Sequence, residues 1–214
     1  MENDFKNNKI EILKDKFSSI KFAYDNLKLS RTKYGIRDEK TGKRRLNGIE
    51  WAKQDLEIRF YAESLFFQVK SFLDVFIKFL VNKNYSLQYN QKKRVYKKKE
   101  IYFNNYFLKK IKPRTVYINN LMIYWESGIN KKKYSLRVFN AYRNLICHEF
   151  PLSWAHGHLS SNKFRWYLLP NSLRSKKPSY RKNTNLFELC DEIYMILDRI
   201  LRDFDKQTKY QLQK

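Results

Sequence analysis

Glycine and proline are scarce. Only five glycines and four prolines punctuate 214 residues. So few turn-formers exclude a turn-rich β-sandwich and a glycine-rich phosphate-binding α/β fold, and they favour long helices. Cysteine is nearly absent: Cys147 and Cys190 cannot build a disulfide scaffold. No apolar run follows the first residues, Met1-Glu2-Asn3-Asp4-Phe5-Lys6, so no signal peptide is expected. The most apolar window, 65–81, is short for a membrane span and contains Lys70, Asp74 and Lys78, which form one polar stripe on a helix. These absences predict a soluble, reducing, cytoplasmic setting with no membrane contact.

Acidic residues are missing from one half of the chain. Positions 91–187 hold 22 lysines and arginines against three acids, Glu100, Glu126 and Glu149, a surplus of 19. The remainder holds 23 basic and 18 acidic residues, a surplus of five. Such a concentrated field attracts polyanions, nucleic acid first among them. Apolar residues reach 43%, which is ample for a core and excludes a disordered basic tail.

The periodicity predicts a first helix over 2–28, with Ile10, Leu13, Phe17, Ile20, Phe22 and Tyr24 on its apolar side. Residues 30–47, with Gly35 and Gly42, read as a loop. A second helix is predicted over 49–83, supported by Asp55 and Arg59 four residues apart. Thr115 and Gly128 bound a short helix ending near Trp125. Ser135 caps another over 136–148, with Pro151 beyond its end. Residues 149–183 read as loop with a short hairpin around 164–169. A final helix starts near Asn185, whose spacing to Glu188 suggests a capping box. Its seam is Leu186, Leu189, Ile193, Ile196, Leu197, Ile200, Leu201 and Phe204. The expected fold is all-α: one domain, an antiparallel bundle of four to five long helices with a basic, loop-rich insertion at 84–113 and 149–183.

The chemistry concentrates in Arg143-Asn144-Leu-Ile-Cys-His148. Asn144 and His148 are four apart and share a helix face; Arg143 and His148 are five apart, about 140° around the axis. Two copies meeting across a two-fold bring each Arg into a groove shared with both His residues. These types suit RNA cleavage by the substrate's own 2′-hydroxyl. His148 can transfer a proton near neutral pH, Arg143 can hold charge on the phosphorane, and Asn144 can fix the imidazole or bind a phosphate oxygen. Cys147 reads as packing. His156-Gly157-His158, with Cys147 and His148, offers four possible zinc ligands, but the spacing matches no zinc signature. No metal or other cofactor is expected. The aromatic-basic stretches 94–103 and 163–167 can stack bases and hold phosphates. Their candidate RNA-binding residues are Lys97, Lys98, Lys99, Lys163, Arg165 and Trp166.

The Arg143…His148 segment resembles the Arg-x(4–6)-His motif of the HEPN superfamily (higher eukaryotes and prokaryotes nucleotide-binding), in its Arg-Asn-x-x-x-His form. The resemblance covers 49–206, with the motif after a long helix and before a final packed one. It implies a helical homodimer with a composite active site formed by Arg143, Asn144 and His148 of both copies. It also implies a metal-independent endoribonuclease of a toxin–antitoxin or antiviral-defence system, with a nucleotidyltransferase-type antitoxin as partner. The alternatives are a non-catalytic RNA- or DNA-binding module and an interaction protein docking an acidic partner.

Overall fold

A computed structural model of the chain describes residues 2–33, 36–37, 44–45, 47–81, 116–129, 134–148, 154–158, 164–168 and 184–212. Five helices dominate them: α1 (Glu2–Lys33), α2 (Gly48–Val81), α3 (Val116–Ser127), α4 (Leu136–His148) and α5 (Leu186–Leu212). The fold is all-α, as the scarcity of turn-formers predicts. Five short strands accompany the helices. β1 (Ile36–Arg37) pairs antiparallel with β2 (Arg44–Arg45). β3 (Trp154–His158), β4 (Phe164–Leu168) and β5 (Thr184–Asn185) form an antiparallel sheet in that order.

The first helix is longer than its periodicity suggested, and its seam is the expected one except at Phe22: Phe17 and Tyr24 pack against the core beside the buried residues. Ile10, Leu13, Ile20, Ala23 and Leu27 are buried, whereas Phe22 is 66% exposed. With Phe17 packed against the core between Leu13 and Ile20, this set keeps three- and four-residue steps, and Phe22 falls off that line. Residues 30–33, expected in a loop, complete α1. Gln54 of α2 donates to the carbonyls of Ser30 and Arg31 at 3.0 Å each, satisfying acceptors that a helix end leaves open.

α2 opens on a reciprocal capping box that sequence reasoning missed. Asn47 Oδ1 accepts from the Glu50 amide at 2.9 Å, and the Glu50 carboxylate accepts from the Asn47 amide at 3.1 Å. Further along, Lys70 is buried and its ammonium lies 2.5 Å from Asp74 Oδ1. The expected polar stripe is therefore solvated only at Lys78. The second half of α2 carries α3 and α4, through Phe76 against Tyr117 and Phe66 against Phe139, so its charges must pair within the protein.

α1 runs antiparallel to both α2 and α5. Lys16 donates to Ser71 and Lys33 to Glu57 across the first pair; Tyr24 donates to Asp191 at 2.7 Å across the second. Tyr24 also stacks on Tyr194 with ring centroids 4.2 Å apart. α2 and α5 thus run parallel to one another, joined through Phe76 and Phe204. The predicted seam of α5 is the observed one: Leu186 through Ile200 are buried, and Leu201 and Phe204 pack against the core.

The helix ends explain how α4 is placed. Gly128, at φ 64°, ends α3 in the left-handed region and donates to the Tyr124 carbonyl at 3.2 Å. The next amide, Ile129, donates to the buried carboxylate of Glu192 on α5. α4 then begins on the Ser135 carbonyl, which accepts from Phe139 at 3.1 Å. The Ser135 hydroxyl was expected to cap, but it is buried and meets no partner among the described residues. The core claims that side chain because Tyr134, Ser135 and Leu136 are buried together.

At α5, Asn185 Oδ1 accepts from Phe187 at 3.0 Å and Glu188 at 3.2 Å, while the Glu188 carboxylate receives the Tyr134 hydroxyl. Half of the predicted capping box is made, and its acid ties α5 to the start of α4. Asn185→Ala is expected to cost about 1 kcal/mol of stability in urea denaturation, while Asn185→Asp keeps most of it.

The hairpin expected around 164–169 lies earlier: β3 (Trp154–His158) pairs with β4 (Phe164–Leu168), so the expected stretch is its second strand and part of 149–183 is sheet rather than loop. The Thr115 cap and the segment 84–113 lie outside the described residues.

Candidate nucleic-acid site on helix α4

α4 is strongly two-faced. Leu136 and Phe139 are buried, with Val138, Tyr142 and Ile146 packed against the core; Arg137, Ala141 and Asn144 are exposed. Phe139 stacks on Phe66 of α2 at 4.8 Å between centroids, which fixes the helix's rotation. Tyr142 provides a second fixed point by hydrogen-bonding the Thr184 side chain on β5. Burial raises the Tyr142 phenol above the ordinary tyrosine range, and the Thr184 bond opposes that in part. It therefore stays a neutral hydroxyl at physiological pH. Nothing in the sequence marked this pairing, because Tyr142 and Thr184 are far apart along the chain.

With the helix pinned by Phe139 and Tyr142, Arg143 is half-buried beside the exposed Asn144. The guanidinium bends round the helix to donate from Nη1 to Asn144 Oδ1 at 3.2 Å. Adjacent helical positions diverge by about 100°, so this contact needs the long Arg stem and was not anticipated. Nε of Arg143 is buried, and no acceptor among the described residues reaches it. A buried donor without an acceptor costs about 1–3 kcal/mol. Arg137, one turn and a half earlier, faces Glu126 of α3 at 3.7 Å.

His148 is the last residue of α4. Its side chain, like those of Cys147, His156 and His158, lies outside the described residues. The position itself is informative. An Arg five residues earlier stands about 7.5 Å back along the axis. The structure brings Arg143 and Asn144 together and sets His148 at the end of the same helix.

Of the candidate RNA contacts, Lys97, Lys98, Lys99 and Lys163 lie outside the described residues. Arg165 and Trp166 are on β4, in register with Gly157 and His156 of β3. β4 also pairs with β5, which leads into α5. The basic hairpin is thus joined to β5, the strand that Tyr142 of the motif helix touches. Among the described residues no group of three or more His, Cys, Asp or Glu could hold a metal ion, and no helix is long and apolar enough to cross a membrane.

No family model matches the chain, and no curated protein or solved structure matches it.

Proposed function

We propose that the protein is a metal-independent endoribonuclease of the HEPN kind, a toxin or antiviral-defence effector acting in the cytoplasm as a homodimer. The observation that carries this reading is Arg143: a guanidinium oriented by Asn144 on a helix that ends in His148. A planar fork suits two phosphate oxygens better than a point charge.

In this mechanism the 2′-hydroxyl of the substrate attacks the adjacent phosphorus. His148 moves the proton, and Arg143 stabilises the charge of the phosphorane. The 5′-oxygen of the next nucleotide leaves with a proton, and a 2′,3′-cyclic phosphate remains on the upstream strand. Asn144 aims the guanidinium. The surplus of 19 positive charges over 91–187 holds the strand. A nucleotidyltransferase-type antitoxin fits as the restraining partner. The same charge favours a second reading, a nucleic-acid-binding module that does not cut.

One experiment separates the two. With a chelator present, an all-RNA oligonucleotide is expected to be cut to cyclic-phosphate ends, while a strand with a single 2′-deoxy position at the cut site is bound and left intact. Binding of both strands should weaken steeply between low and physiological salt. Salt-dependent binding without cleavage of either strand would establish the binding module instead.

A further inference from the structure

Four large apolar side chains stand exposed on one line of α2. Ile49 is 70% exposed, Leu56 67%, Phe60 65% and Phe67 43%. Their spacings of seven, four and seven residues place them within about 20° of a common direction, over about 27 Å of helix. Lys53, exposed, and Glu63, half-buried and with a contact of its own inside the chain, complete the pattern. Together the six positions form a two-step heptad seam: Ile49, Leu56 and Glu63 in one set, Lys53, Phe60 and Phe67 in the other.

The seam is self-complementary about Ile58, which is itself buried on the opposite side. Laid antiparallel on a copy of itself with the two-fold at that level, Ile49 meets Phe67 of the second copy, Leu56 meets Phe60, and Lys53 meets Glu63. Every layer joins one member of each set, as antiparallel packing requires, and every layer matches apolar with apolar or cation with anion. A parallel pairing would set Lys53 against Lys53 and Glu63 against Glu63, which is unfavourable. A foreign apolar partner would not call for this palindrome. We infer that α2 is a homodimerisation surface, and that the partner it fits is a second copy of this chain, antiparallel, with Lys53 paired to Glu63 across the two-fold.

The consequence reaches the motif helix. Phe66, about 100° to one side of the seam, stacks on Phe139 of α4; Glu57, about 80° to the other side, holds Ser30 and Lys33 of α1. A two-fold perpendicular to the paired helices keeps each flank on its own side. Both copies of α4, and both Arg143 residues, then share one face of the dimer, and both copies of α1 share the other. The inference rests on the seam alone and stands whether or not the protein cleaves RNA.

Sedimentation equilibrium of the full chain tests it. The wild type is expected to be a dimer at micromolar concentration. The double variant Leu56→Glu/Phe60→Glu should be monomeric with an unchanged helical circular-dichroism signal, since both positions are exposed. Lys53→Glu and Glu63→Lys should each raise the dimer dissociation constant at least about tenfold through like-charge contact. The combined Lys53→Glu/Glu63→Lys chain should return to within about threefold of the wild type, because reversal restores both pairs. A monomeric wild type, a dimer indifferent to Leu56→Glu/Phe60→Glu, or a combined swap that fails to recover would each overturn the inference. RNA cleavage by the wild type in any of those cases would leave the ribonuclease reading intact.

Discussion

His148→Ala is expected to lower the single-turnover rate of RNA cleavage by about 10²–10⁴, the usual share of a positioned general acid or base. Binding of the same strand should change little, because the long-range basic surface is untouched. Arg143→Ala should be comparably damaging. Arg143→Lys should recover little of the rate although it keeps the charge, since an ammonium cannot span two phosphate oxygens. Asn144→Ala leaves the guanidinium present but unaimed, so a smaller loss that falls mainly on the rate is expected. The ordering is the informative part. A simple phosphate-binding role for Arg143 predicts that Lys rescues it and that His148→Ala is silent. Cleavage that survives both alanine variants would place the chemistry elsewhere in the chain.

Phe76→Ala should be the most destabilising simple substitution in the bundle, at about 3–5 kcal/mol in urea or guanidinium unfolding. Phe76 is fully buried, and its ring contacts Phe72 in its own helix, Tyr117 of α3 at 6.1 Å and Phe204 of α5 at 5.4 Å. Truncation removes one large side chain and strands the rings of three helices around a cavity that a rigid junction cannot close. Phe76→Leu keeps most of the volume and should lose far less. A shift below about 1 kcal/mol for Phe76→Ala would mean that the junction can collapse, and the bundle would be softer than its aromatic packing implies.

The long helices were legible because their seams repeat over many turns. The whole apolar line of α5, from Leu186 to Phe204, and the extent of α4 from Leu136 to His148 can be read from spacing alone. Single positions were less legible. Phe22 looks like a core residue by type, yet it falls off the line set by Ile20, Ala23 and Leu27; Ala23, smaller and less conspicuous, takes the buried position. Lys70 looks like a solvated charge, yet it is buried against Asp74 because α2 is covered on its second half.

At the candidate site, sequence reasoning named Arg143, Asn144 and His148 and missed how the first two are arranged. The Arg143–Asn144 bond depends on a side chain bending around its own helix, and the Tyr142–Thr184 bond joins segments 42 positions apart. Neither is encoded in local spacing. Both depend on how Phe139 and Phe66 fix the rotation of α4. The basic stretches holding Lys97, Lys98, Lys99 and Lys163 were prominent in composition, but composition carries charge without geometry.

The packing of α1 against α5 has a consequence for biosynthesis. Tyr24 must find Asp191, and these partners are 167 residues apart in the chain. At about 5–20 residues per second, a ribosome takes on the order of ten seconds or more to add that length. During that interval α1 and α2 can pair; in its last part α4 with Arg143 and His148 has been made and can pack on α2 through Phe139 and Phe66, but Thr184, Glu188 and Glu192 have not arrived. The motif helix therefore lacks its second set of anchors while its own messenger is still being read. Under the proposed ribonuclease reading, the site would be complete only after the last helix has emerged, which would spare the template that encodes it.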